Sequence, residues 1–257
     1  MPICVNPWLK FVSVSPEKIS AVVLAGGFGT RVKHLLGDLP KPMAPVSGKP
    51  FVEWVVRYLA AQKIHNVIFS TGYAAETVEK HFQSQPVKNV RTVCVPETSP
   101  LGTAGGFLNS IRSAKENPQA WLVLNGDSLA LAPLEEFSNS LDDEKISGAI
   151  LGVRVPDASR FGTISQNANG DLSGFNEKKP GAGIINAGIY LFRASVIEKF
   201  PKKTPLSFET EVFPSLISQN VRVKVCVTDA PFLDIGTPES LPLAEQFIQT
   251  NQEFFES

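Results

Sequence analysis

A chain of 257 residues can bury a substantial core, and with 43% hydrophobic and 19% charged residues its composition is that of an ordinary globular protein. Its 24 basic and 25 acidic residues give a formal charge of -1, which excludes any global attraction for nucleic acid or an anionic membrane, so an anion site must be local. Cys4, Cys94 and Cys226 show no C-x-x-C spacing and His34, His65 and His81 are scattered, so reduced thiols, a cytoplasmic protein and no transition-metal site are expected. No apolar run reaches membrane-spanning length, and Pro2, Pro7 and Pro16 interrupt the start in a way that argues against a signal peptide.

Ile19 to Ala25 is a short apolar run bounded by glycine, the pattern of a strand buried on both faces in a parallel sheet. It leads into "GGFGTR". Gly26, Gly27 and Gly29 allow positive φ and close backbone approach, so their N–H groups can face an anion to which Arg31 adds fixed charge. Neither common glycine loop accounts for the stretch. The G-x-G-x-x-G fingerprint begun at Gly27 has Val32 where its third glycine belongs, and the P-loop fails because Arg31, Val32 and Lys33 stand where G-K-[ST] is needed.

Val52, Val55, Val56 and Leu59 then recur at helical spacing, and Asn66 to Thr71 reads as a strand. The alternation continues with a helix near 75–82, the strand "RTVCVPE" ending at Glu97, a helix near 105–114, and the strand "AWLVLNGD" ending at Asp127. Strands separated by helices predict right-handed crossovers, a mostly parallel sheet, and ligands at the strands' carboxyl ends. From Gly162 to Lys178 the pattern changes, with Asn169-Gly170 between two strand-like segments signalling a hairpin. "GIINAGIYLFR" and "VRVKVCVTD" supply further strands, with short helices near Val196 and Glu211 and a final helix after Pro238. No low-complexity linker, charge block or internal repeat divides the chain.

Two aspartates lie at predicted strand ends, Asp127 in "LNGDS" and Asp234 in "FLDIGTPE". Each alone is as readily a turn or cap residue, but two carboxylates can clamp one hard cation, and Mg²⁺ usually takes one or two of them with water and phosphate oxygens. The ordered set "LAGGFGTR", "LPKPM", "ETSPLGTAGG", "LNGDS", "RFGTI", "GFNEKK", "INAGIY" and "FLDIGTPE" resembles the sugar-nucleotide pyrophosphorylases over Ile19 to about Ala244, most of all the guanylyltransferases acting on manno-configured sugar 1-phosphates.

The resemblance implies an α/β, Rossmann-like nucleotidyltransferase fold of the GT-A-like, three-layer kind, with a mostly parallel central sheet and an antiparallel hairpin in the second half. Residues 1–18 would then form an N-terminal extension and 19–257 a single domain, with a nucleotide half at about 19–130 and a sugar-phosphate half at about 131–245. It also implies GTP and a sugar 1-phosphate as partners, Mg²⁺ as cofactor, and, since relatives often form dimers, a homodimer as an option. A manno-heptose 1-phosphate is the favoured acceptor and mannose 1-phosphate the serious alternative, though many enzymes for the latter carry a further β-helix. Carried over by position, Leu24, Ala25, Gly26, Gly27, Gly29, Thr30 and Arg31 would hold the triphosphate, with Asp127 counted among the nucleotide-binding residues. Glu97, Gly102 and Thr103 would lie at the base, Arg31, Lys41 and Lys178 would neutralise charge in catalysis, and Asp127 and Asp234 would bind the metal. Gly162, Glu177, Lys178 and Asn186 would surround the sugar phosphate. Phe161 and Leu233 stand where relatives often carry other aromatic residues, which leaves the sugar-pocket walls least defined.

The implied reaction is attack of a sugar 1-phosphate oxygen on the α-phosphorus of a nucleoside triphosphate, in line with departing pyrophosphate. It needs no protein nucleophile, only two mutually repelling anions held in line. Three other readings compete with it. A uridylyl- or thymidylyltransferase, acting for example on N-acetylmuramate 1-phosphate, is opposed by Glu97; a non-catalytic regulatory subunit by the presence of Lys41, Asp127 and Asp234; a dehydrogenase by the missing glycine.

Overall fold

The run Ile19–Ala25 forms strand β1 in a computed structural model of the chain, which describes residues 14–27, 29–72, 75–176 and 180–256. It is followed by α1 (Phe51–Ala61), β2 (Asn66–Thr71), α2 (Ala75–Ser84), β3 (Arg91–Pro96), α3 (Thr103–Ala114) and β4 (Ala120–Asn125). The strands pair in parallel in the order β3-β2-β1-β4, so all four end at one edge of the sheet. Helices cover both faces, which is why β1 and β4 lack polar alternation. On one face Phe51, Val52, Val55 and Val56 of α1 and Val78 and Phe82 of α2 share a core with Ala21 and Val23. On the other, Ala104 and Phe107 of α3 pack with Val22, Ile68, Trp121 and Val123.

The second half extends the same sheet to nine strands. After β5 (Ser128–Ala130) and α4 (Leu134–Asn139) come β6 (Ile146–Val155), β7 (Thr163–Gln166), β8 (Leu172–Asn176), β9 (Gly183–Arg193), α5 (Phe213–Ser218), β10 (Arg222–Thr228), β11 (Phe232–Asp234) and α6 (Leu243–Thr250). Strand β9 runs antiparallel to β4 and β6, and β10 runs parallel to β6. The expected hairpin is β7–β8, turned at Gly170 with φ 75°. It is fastened to β10 by buried Asp171, which accepts from Arg222 Nε at 2.8 Å.

Two irregularities matter for the cleft. The pairing of β9 with β6 shifts between Asn186 and Tyr190, with Gly188 at φ 72°, so β9 carries a bulge beside the end of β4. The last helix, expected after Pro238, starts at Leu243. A turn closed by the Ser240 and Leu241 amides on the Thr237 carbonyl, at 3.2 and 3.1 Å, precedes it.

Candidate active site

Strands β1 and β4 end side by side, and the segments that follow them form a cleft. Two connected cavities, of about 480 and 190 Å³, share Leu24, Gly27 and Asp127 in their walls. At Gly27 an added Cβ would meet nothing within 4 Å. Packing therefore does not demand this glycine, and its bareness leaves the cleft open. Gly29 is different: its φ is 56° and a Cβ would lie 2.9 Å from Cβ of Lys41, so both conformation and space require glycine.

Lys41 is held under that loop with its side chain 11% exposed, and its ammonium donates to Asp127 Oδ2 at 2.6 Å. Asp127 lies just past β4, and β5 pairs antiparallel with β11 so that Asp234 stands opposite Ser128. The Ile235 amide donates to the Asp127 carbonyl at 3.0 Å. This short ladder is what brings the two aspartates together from distant parts of the chain. Burial, and next the charge of Asp127, push the Asp234 carboxyl above its ordinary value of 3.8, against the opposing influence of Lys41 and of the Gly236 amide. Among the described residues no cluster of three or more His, Cys, Asp or Glu converges. Two neighbouring carboxylates beside a phosphate-sized cleft are a donor set that suits a hard divalent cation completing its shell with water and phosphate oxygens.

At the far end of the larger cavity stands Glu97, just beyond β3. Its Oε1 accepts from Ser70 Oγ at 2.8 Å and its Oε2 from the Leu101 amide at 3.2 Å. Gly106 makes this possible, since a Cβ there would lie 2.5 Å from Glu97 Oε1 and 2.6 Å from Ser70 Oγ. We expect Gly106→Ala to displace the carboxylate, lowering affinity for the nucleotide and costing about 2 kcal/mol of stability through overpacking. Thermal melts and nucleotide titration of this variant check both effects; an unchanged nucleotide KM would mean that the Glu97 carboxylate does not face the ligand.

The other glycines of "PLGTAGG" serve the chain itself. The Leu206 carbonyl accepts from the Ala104 and Gly105 amides at 2.9 and 3.0 Å, the Leu206 amide donates to Leu101 at 2.8 Å, and a Cβ on Gly102 (φ 77°) would lie 2.5 Å from that carbonyl. Thr103 Oγ1 accepts from the Phe208 amide at 3.0 Å. The Ala104 and Gly105 amides are thus satisfied by the chain itself and are not free for a phosphate.

Of the residues singled out from sequence, Leu24, Gly26, Gly27, Gly29, Thr30, Arg31, Lys41, Glu97, Gly102, Thr103 and Asp127 line the two cavities. Ala25 is buried within β1 and lines neither. Gly162 and Asn186 meet through the main chain, the Asn186 backbone N–H donating to the Gly162 carbonyl at 3.1 Å. Glu177 and Lys178 lie outside the described residues. Leu233 is 7% exposed and belongs to the core; its neighbour Phe232 instead meets Phe161 edge-on at 5.6 Å. Sequence reasoning missed Ser70, Asn125, whose amide packs against the bare face of Gly188, and Arg160, whose Nη2 donates to Thr237 Oγ1 at 2.7 Å. Arg160 sits in the quoted "RFGTI" motif beside Gly162, which was the available signal.

A mostly parallel sheet whose strand ends carry a bare glycine loop, a largely enclosed lysine and an aspartate pair has the architecture of a nucleotide-handling α/β protein. The profile of the nucleotidyl transferase family matches residues 20–251, and the chain belongs to that family. It is 32% identical over 222 residues to a D-glycero-α-D-manno-heptose 1-phosphate guanylyltransferase of Campylobacter jejuni, covering 86% of this chain and 96% of that one. A mannose-1-phosphate guanylyltransferase of Mycobacterium tuberculosis is 34% identical over 88% of this chain, which spans 63% of that longer protein. Among solved structures, HddC from Yersinia pseudotuberculosis complexed with GMP-PN superposes with a TM-score of 0.79 at 33% identity, covering 88% of this chain and 98% of that one. No helix among the described residues is long and apolar enough to cross a membrane.

Proposed function

We propose that the protein is a Mg²⁺-dependent guanylyltransferase that joins GTP to a manno-configured sugar 1-phosphate, D-glycero-α-D-manno-heptose 1-phosphate in first place, giving a GDP-sugar and pyrophosphate. The relatives of that name, matched over nearly their whole length, support the acceptor. The observation that carries the reading is the cleft itself: a fixed carboxylate, Glu97, at one end and Lys41, Asp127 and Asp234 at the other. The bare glycine loop would admit the triphosphate between them, with Arg31 and Lys41 offsetting its charge. Asp127 and Asp234 would hold Mg²⁺, which when bound supplies charge neutralisation at the reacting phosphates. The acceptor would enter from the side of Gly162 and Asn186, with Glu177 and Lys178 completing its site.

Glu97 decides the nucleotide. Guanine presents two adjacent donors, N1–H and N2–H, and each carboxylate oxygen keeps a lone pair after accepting from Ser70 or Leu101. Uracil and thymine present one N–H flanked by carbonyl oxygens, which a carboxylate repels. In Glu97→Gln the amide oxygen must stay on the Leu101 N–H, leaving the NH₂ towards Ser70, whose hydroxyl can turn to accept. The base then meets a donor in place of an acceptor. We expect the variant to lose about 2–4 kcal/mol of its preference for GTP and to gain use of UTP or dTTP relative to it. A pyrophosphate-release assay crossing four nucleotides with a panel of sugar 1-phosphates measures this. An unmodified enzyme that prefers UTP or dTTP, or a Gln variant with the same ranking as its parent, would sink the assignment. Mannose 1-phosphate is the second reading, supported by the mycobacterial relative, and the same panel separates it.

A further inference from the structure

Between α3 and the bulge of β9 runs a chain of hydrogen bonds that this chemistry does not use. Thr103 Oγ1 and Ser207 Oγ donate to Glu209 Oε2 at 3.3 and 2.8 Å. The Tyr190 hydroxyl donates to Glu209 Oε1 at 2.9 Å, and Asn186 Nδ2 donates to that hydroxyl at 2.8 Å. Glu209 lies in a π-helical turn, Phe208–Val212, an irregularity frequent at functional sites. Each direction in the chain follows from the one before. The carboxylate only accepts, so the phenol must donate to it and keeps a lone pair for the Asn186 NH₂; the amide oxygen of Asn186 is then left for the Gly188 amide, at 3.0 Å. Tyr190 is fully buried, and burial, then the charge of Glu209, push its phenol far above the usual range, so it stays a donor.

We infer that Glu209 is a positioning residue for the acceptor, setting through Tyr190 the orientation of the Asn186 amide on the β9 bulge. The inference rests on the reading of that bulge as a wall of the sugar-phosphate site. The two ends of the chain depend on Glu209 unequally. Loop 101–105 is also tied by the Leu206 carbonyl and amide and by the Phe208 amide, so it survives loss of the carboxylate. The phenol has Glu209 as its acceptor; without it, its proton turns to the Asn186 amide oxygen, the amide flips, and the Gly188 bond is given up. The damage therefore falls on the acceptor.

The test compares Glu209→Ala, Glu209→Gln and Tyr190→Phe, with separate KM values for the sugar 1-phosphate and GTP and the Asn186 side-chain amide resonances of the ligand-free protein. Glu209→Ala should raise KM for the sugar phosphate by about tenfold and that for GTP by less than about twofold. Glu209→Gln keeps an acceptor for the phenol and should recover most of the loss. Tyr190→Phe should raise the acceptor KM, and adding Glu209→Ala to it should add little, because both break one relay. The Asn186 amide resonances should move in Glu209→Ala and Tyr190→Phe. The inference is overturned if both KM values rise together, if the melting temperature falls with the acceptor KM unmoved, or if those resonances stay in place. Should Glu209→Ala not fold, the other two single variants decide, since only Tyr190→Phe should affect the acceptor strongly. A parent protein that turns over no sugar 1-phosphate would sink the functional reading, while the resonances still report whether Glu209 holds Asn186.

Discussion

Asp234→Asn is expected to lower kcat about a thousandfold and yet to raise the melting temperature in metal-free buffer near pH 7. The loss follows from the preference of Mg²⁺ for charged oxygen ligands. The gain follows from the direction of the carboxyl's shift: burial and the neighbouring Asp127 raise its pKa in the folded state. A raised carboxyl pKa means the folded chain binds that proton more tightly than the unfolded one, so stability declines as pH climbs from the ordinary value of 3.8 to the raised one. Above that window the ionised group carries the full cost, which a neutral amide removes while keeping an acceptor for the Gly236 amide, now at 2.6 Å. The advantage of the variant should shrink as pH falls towards 4, measured by thermal melts across pH with a chelator present. Asp127→Asn should lose turnover likewise, but without the gain, since Lys41 loses a partner at 2.6 Å. Near-normal magnesium-dependent rates in both variants would end the metal assignment.

Lys41→Ala should reduce kcat by about a thousandfold with a smaller change in KM for GTP, because charge neutralisation at the reacting phosphate matters most in the transition state. The position is specific to lysine. Its stem lies under Gly29 and its ammonium reaches Asp127 Oδ2 end-on at 2.6 Å, a point-charge contact that the planar fork of Lys41→Arg does not reproduce, so arginine should not restore the rate. Removal also withdraws the cation that holds down the Asp234 carboxyl, so the alanine variant should lose stability near pH 7. Steady-state kinetics separate the cases: a rise in KM alone, with kcat retained, would make Lys41 a uniform binding contact.

The parallel half of the fold was legible because its signals are local. Val52, Val55, Val56 and Leu59 mark α1, and the valine-rich run of β1 has the unbroken apolarity that two covering helix layers demand. The loop, the lysine and both aspartates were legible as an ordered set of motifs. What was not legible depends on contacts between distant segments. Nothing in "PLGTAGG" says that Gly102 must admit the Leu206 carbonyl or that Gly106 makes room for Glu97. Nothing in "LSFETEV" says that Glu209 will meet a phenol nineteen positions earlier. The orientation of Leu233 was not legible for a related reason, since a strand as short as β11 has too few residues to show which side of it faces the core.

The ladder between β5 and β11 has a consequence for how the protein matures. Nine strands of the main sheet are complete once Thr228 is in place, but the second aspartate arrives only with Phe232–Asp234. During synthesis the glycine loop, Lys41 and Asp127 therefore wait for the last segment, which brings both Asp234 and the Gly236 wall of their cavity. Clipping after Thr228 would remove more than a carboxylate: Leu233, Ile235, Ala244, Ile248 and Phe255 share the core of α1, and Gly236 lines the smaller cavity, so the packing beneath the cleft and its second acidic group are lost together.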